Sequence, residues 1–125
     1  MPDPRTLATG LAVTRLLFGA RLVLQPAAAD QSWVGAAIRT PAGAVMTRSQ
    51  GARDVALGAG ALRALRAGDG AEARRWFAAH LLADATDLAA TLAAWNGLPV
   101  GRRIFAALMA GGSAAIAAMT VAGGS

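Results

Sequence analysis

Hydrophobic positions along the chain fall into four stretches separated by proline, glycine and charge. The first, Leu7–Leu24, is apolar except for Arg15, Arg21 and scattered threonines. Pro2 and Pro4 precede it and Pro26 ends it, since proline is excluded from a helix interior. The second, about 49–67, has Ser49 as a possible N-cap, Arg53 and Asp54 in its first turns, and Arg63 and Arg66 in its last. Gly68-Asp69-Gly70 is a turn signal, and a third helix runs over about 71–96 to a stop at Asn96-Gly97. The fourth stretch, Ile104–Ala122, is 19 residues without a charge, preceded by Arg102 and Arg103. Its Ala107, Gly111 and Ala115 form a small-residue face suited to helix packing.

The third stretch carries the most unusual pattern. Trp76 to Trp95 reads WFAAHLLADATDLAATLAAW, 20 residues, or about 30 Å of helix, the thickness of a bilayer's hydrocarbon core. A tryptophan at each end suits the two membrane interfaces. His80, Asp84, Asp87 and Thr91 are spaced i, i+4, i+7, i+11 and form one polar stripe on an otherwise apolar helix. A carboxylate at the bilayer centre costs about 2.5–3.5 kcal/mol on insertion scales, so partners are required. The spacing predicts an all-α fold, a four-helix transmembrane bundle in a single domain. A long loop or re-entrant segment, Pro26–Gly51, joins helices 1 and 2.

Depth counting suggests the partners. Helices 1 and 3 run in the same direction; Arg15 lies eight residues after Leu7 and Asp84 eight after Trp76. Both then sit near the midplane, with Asp87 one turn beyond. Arg53 and Asp54, early in helix 2, fall near the level of Arg21. Two layers are expected: Arg15 with Asp84 and Asp87 at the centre, and Arg21 with Asp54 nearer one face, while Arg53 and Asp54 balance each other. Removing Arg15 is then expected to harm accumulation about as much as removing Asp84. His80, near an interface, is the one group with an unperturbed pKa in the physiological range. The candidate polar interior is Arg15, Arg21, Arg53, Asp54, His80, Asp84, Asp87 and Thr91. Such pairs fix helix register and neighbour choice, or mark a substrate path, proton relay or ligand site.

Composition sharpens this picture. Hydrophobic residues make up 55% and charged residues 15% of 125, against about 25% charged in ordinary soluble domains. Much of the apolar count is alanine, which also suits a soluble helical bundle. All 12 basic residues are arginine, dispersed and without tyrosine, which argues against nucleic-acid binding. With no cysteine there are no disulfides and no thiolate chemistry. Arg15 interrupts the first apolar run, unlike a cleaved signal. Four spans place both termini on one side. Five arginines (Arg5, Arg63, Arg66, Arg74, Arg75) lie there and four (Arg39, Arg48, Arg102, Arg103) lie opposite. The balance leans towards cytoplasmic termini.

Two chemistries are unsupported. A metal site would need ligands beyond the stripe, and Asp54 is the only other carboxylate within a span. Asp84-x-x-Asp87 matches the first acidic pair of membrane CDP-alcohol phosphotransferases. Leu88 stands where that family needs glycine, Thr91 follows Ala90 where it needs arginine, and no acidic residue comes after Asp87. No catalytic residue, metal or cofactor is expected.

Arg15-Leu-Leu-Phe-Gly19, Gly51-Ala-Arg-Asp-Val-Ala-Leu-Gly58, Leu82-Ala-Asp-Ala-Thr-Asp87 and Leu98-Pro99 with Arg102-Arg103 together resemble small four-helix integral membrane proteins of the actinobacterial type, loosely similar to the DoxX-like group. The resemblance implies a four-helix architecture in a bacterial inner (plasma) membrane, with lipid as the surrounding partner, and is silent on activity. Two functions are compatible with it. One is a structural or accessory subunit acting through helix–helix contacts, in a homo-oligomer or a larger membrane complex. The other is a small oligomeric transporter or ligand-binding bundle using the interior around Arg15, Asp84 and Asp87.

Overall fold

The computed structural model describes residues 3–26, 40–97, 103, 104, 108 and 111, and the described elements are all helical. Helix α1 is Pro4–Leu24, α2 is Pro41–Arg66 and α3 is Gly70–Ala93, followed by a 3₁₀ turn at Trp95–Gly97. The expected fourth helix (Ile104–Ala122) falls largely, and residues 27–39 of the expected loop or re-entrant segment wholly, outside the described residues.

Each helix begins with a side-chain cap. Asp3 accepts from the Thr6 amide at 2.9 Å, Thr40 from the Gly43 amide at 3.0 Å and Asp69 from the Glu72 amide at 3.0 Å. The Thr6 amide and hydroxyl hold the Asp3 carboxyl below its ordinary range. Proline follows the cap in α1 and α2, where its missing N–H costs no hydrogen bond. This corrects two expected boundaries. Pro4 is the first residue of α1 and not a residue before it. Helix α2 starts at Pro41, so Ser49 lies in its third turn and the expected loop over Pro26–Gly51 ends at Thr40. Arg53 and Asp54 are therefore mid-helix residues.

The α2–α3 connection is a two-way stop signal. Gly68 has φ +71°, Asp69 N–H donates to Ala64 O at 3.1 Å and Gly68 N–H to Leu65 O at 3.2 Å, the paired bonds of a Schellman ending. Asp69 then caps α3 at once. A side chain with a Cβ is strained at such a φ by about 1–2 kcal/mol. Gly68→Ala should lower thermal stability by that amount while Gly70→Ala, which meets nothing nearby, should not. Equal melting temperatures for the two variants would contradict this.

The three helices run up, down and up. Arg5 Nη2 donates to Leu65 O at 3.0 Å and Arg48 Nε to Val23 O at 3.3 Å, which ties both ends of α1 to the opposite ends of α2. Their seam is built from small residues. Buried Ala8, Ala12, Arg15, Gly19 and Leu22 on α1 face Thr47, Gly51, Asp54, Gly58 and Ala61 on α2, each at alternating steps of four and three. The backbones touch: a Cβ on Gly19 would lie 2.6 Å from Gly51 O, and one on Gly58 would lie 2.6 Å from Ala12 O. Helix α3 packs antiparallel to α2, with Trp76 against Gly60. Phe77 completes an apolar cluster with Ala8, Ala12 and Ala61.

Polarity is turned inside out. Arg15, Thr47, Asp54, His80, Asp84 and Thr91 are buried, whereas Leu17 is 65%, Met46 69% and Leu82 70% exposed. The exterior carries a belt free of fully exposed charge. Between Arg5 and Arg21 the exposed residues of α1 are Thr6, Leu7, Gly10, Thr14, Leu17 and Phe18. Between Arg48 and Arg63 those of α2 are Ser49, Ala52, Ala56 and Ala59. Both intervals correspond to about 21–24 Å of helix. Beyond Arg75, α3 exposes only alanine, leucine and threonine up to its end. Among the described residues one helix, Pro4–Leu24, is long and apolar enough by composition to cross a membrane. Helices α2 and α3 fall short through their charged and polar residues, among them Arg53 and Asp54 on α2 and His80, Asp84 and Asp87 on α3.

Candidate functional site

The inward charges meet where the three helices converge. Arg15 lies midway along α1 on the small-residue face, with Ala12 and Gly19 a turn to either side. The absence of bulk there lets a guanidinium reach across. Its Nη1 donates to Asp54 Oδ1 of α2 at 3.1 Å and its Nη2 to Asp84 Oδ1 of α3. One arginine thus bridges two carboxylates on two helices. All three side chains are 5–7% exposed.

A second cation stands beside this bridge. Arg53 makes a bidentate fork on Asp87, Nη1 to Oδ1 at 3.0 Å and Nη2 to Oδ2 at 2.8 Å, the strongest geometry for this pair. Its Nη2 also lies 3.5 Å from Asp54 Oδ1. The five groups are therefore one network: Asp87–Arg53–Asp54–Arg15–Asp84. Arg53 and Asp87 sit at its rim, with side chains 33% and 24% exposed.

His80 lies one turn before Asp84 and is fully buried. Its ring packs on Phe77 with centroids 5.0 Å apart. Nε2 is 2.9 Å from Leu57 O of α2. A carbonyl only accepts, so Nε2 carries the hydrogen and donates. Thr91 is buried but turns to its own helix, its hydroxyl donating to Asp87 O at 2.8 Å.

The expected Arg15–Asp84 pair is present. Three other expectations are corrected. Arg21 is exposed near the end of α1 and stands outside the network. Asp54 pairs with Arg15 and not with Arg21. Asp87 pairs with Arg53 and not with Arg15. All three follow from one error in helix α2. With its start at Ser49, residues 53 and 54 fall at the level of Arg21; with its start at Pro41 they fall at the level of Arg15. The Thr40-Pro41 pair, a cap followed by proline, is the signal that places the start correctly.

Among the described residues no group of three acidic, histidine or cysteine side chains is arranged to hold a metal ion. An open cleft at the other end, lined by Gly60, Arg63, Asp69, Glu72 and Trp76, has little free polar chemistry. Asp69 caps α3 and Glu72 pairs with Arg75 at 3.1 Å. Compared with protein-family models, curated proteins and solved structures, the chain matches none.

Proposed function

We propose that this is an integral membrane protein acting as a structural or accessory subunit through helix–helix contacts, its Arg/Asp network selecting which helix faces which and at what register. The observation that carries this reading is the inverted polarity: a charge network in the centre, reaching the exterior only where Arg53 and Asp87 are part-exposed, and a belt outside with no fully exposed charge. Water would favour the opposite arrangement, whereas lipid favours an apolar exterior and confines charge to the interior. The belt is thinner than an average hydrocarbon core of about 30 Å. Arg21 and Arg48 at one end, and Arg5, Arg63 and Arg66 at the other, can extend it by snorkelling. Uncharged Ile104–Ala122 supplies the fourth span of a four-helix bundle in this reading. The end bearing Arg5, Arg63, Arg66, Arg74 and Arg75 then faces the cytoplasm of a bacterial inner membrane.

The partner is a second copy or a larger membrane complex. A second reading, a small oligomeric transporter or ligand-binding bundle, draws on one observation: Asp84 Oδ2 and His80 Nδ1 are buried without a protein partner.

The absence of cysteine makes the test direct. Single cysteines at Leu17, Ala56 and Leu82 in the belt, and at Arg66 and Arg74 at the basic end, are treated in intact membranes with a water-soluble maleimide. The belt positions should stay unlabelled and the end positions label from one side. Labelling of all five at similar rates would mean that water covers the belt, and the membrane reading would fall. Native mass spectrometry of mildly solubilised protein then separates the subunit from the carrier. Co-purification with a larger complex supports the first, and a self-oligomer retaining a small molecule supports the second.

A further inference from the structure

The ion network contains more negative than positive charge. Its described members are Arg15 and Arg53 against Asp54, Asp84 and Asp87. Two guanidinium groups against three carboxylates leave a net charge of −1. Arg15, Asp54 and Asp84 are all buried. An uncompensated charge in such an interior is neutralised in preference to being left bare. Arginine cannot change its charge in a protein, so the adjustment falls on another group.

The place of the imbalance can be found from unused atoms. Asp84 spends Oδ1 on Arg15, and its Oδ2 is buried without a partner. His80 spends Nε2 on Leu57 O, and its Nδ1 is buried without a partner. With Nε2 as the donor, a neutral ring leaves Nδ1 as a bare acceptor. Residues 80 and 84 are one turn apart on one face of α3, so both bare acceptors lie in the same part of the core, and a hydrogen on one of them is the missing component.

We propose that the core binds one proton, held on Asp84 Oδ2 or on His80 Nδ1. Two guanidinium groups and a proton then balance three carboxylates, and one of the two bare acceptors becomes a donor. The other charged groups around these atoms are Arg15 from α1, and Arg53 and Asp54 from α2. Asp87 lies one turn further along α3. A sodium ion would match the charge, but it needs more ligands than these two atoms. The inference rests on the network itself and holds for a structural subunit and for a carrier alike.

His80 is the only histidine, so protein labelled with ¹⁵N-histidine in lipid bilayers gives one pair of ring-nitrogen signals. Infrared spectra of the same sample report any protonated carboxyl. At neutral pH one of two patterns is expected. Either both ring nitrogens carry hydrogen, or a protonated-carboxyl band is present that Asp84→Asn removes. A neutral ring with no protonated carboxyl, whether Nδ1 is bare or bonded to water, would overturn the proposal. A shift of Nδ1 when potassium replaces sodium would also overturn it and name a metal cation instead. If Asp84→Asn fails to accumulate, the wild-type spectra alone still decide between a bound proton and none.

Discussion

Arg15→Ala is expected to lower stability by about 3–5 kcal/mol, the range for removing one partner of a buried ion pair. The loss should exceed that of any single change at its partners. Arg15 is the only group touching both Asp54 and Asp84 among the described residues, and it joins α1 to α2 and α1 to α3 at once. Its removal leaves two buried carboxylates facing an apolar alanine seam, with one guanidinium left against three carboxylates. Asp84→Asn costs less: two carboxylates then stand against two guanidinium groups, Arg15 keeps Asp54, and the amide still fits the space. Depth counting alone makes Arg15 and Asp84 equivalent partners; the bridging geometry removes that equivalence. Reversible unfolding of the purified protein in detergent would compare Arg15→Ala, Asp84→Asn and Asp54→Asn. An Arg15→Ala protein as stable as wild type, or no less stable than the Asp84→Asn and Asp54→Asn proteins, would refute the bridging role. A charge reversal between positions 15 and 84 should not restore stability, because Asp54 would then face a carboxylate at position 15. Arg15→Met combined with Asp54→Asn and Asp84→Asn should recover part of the loss, since an all-neutral set avoids buried bare charge.

The helical character of the chain was legible from spacing. The apolar runs at α1 and α3 give both helices to within three residues, because proline, glycine and capping side chains bound them. The polar stripe on α3 was legible for the same reason: residues 80, 84 and 87 share a face by periodicity alone. Which cation meets which carboxylate was not. That depends on relative height, and an eight-residue error at the start of α2 moves Arg53 and Asp54 by about 12 Å along the bundle. The neighbours of His80 were not legible either. Its ring packs on Phe77 and bonds the Leu57 carbonyl, and neither contact has a sequence signature. The glycine seam was half visible. Gly58 and Gly60 stand out as small residues, but only the packing shows that Gly58 meets α1 and Gly60 meets the Trp76 ring.

That seam is the site of the second large effect. Gly51→Val should separate α1 from α2 and lower stability by about 3 kcal/mol, at or beyond the upper end for overpacking. A Cβ at Gly51 would lie 2.6 Å from Gly19 O and 2.8 Å from the Leu22 Cβ. The first of these is backbone, which cannot rotate away as a side-chain tip can. Relief requires the helices to move apart, and that motion also stretches the Arg15–Asp54 bond of 3.1 Å, the next buried layer of the same seam. Packing and charge pairing are thus lost together, and Gly51→Val and Arg15→Ala should be less than additive when combined. Gly10→Val is the control. It lies on the same helix as Gly19, but a Cβ there meets nothing within 4 Å. With glycine a poorer helix former than valine, that variant should be neutral or slightly stabilised. Were Gly51→Val to unfold at the same temperature as Gly10→Val, α1 and α2 could not be in backbone contact at this point. Arg15 would then have no fixed distance over which to reach Asp54.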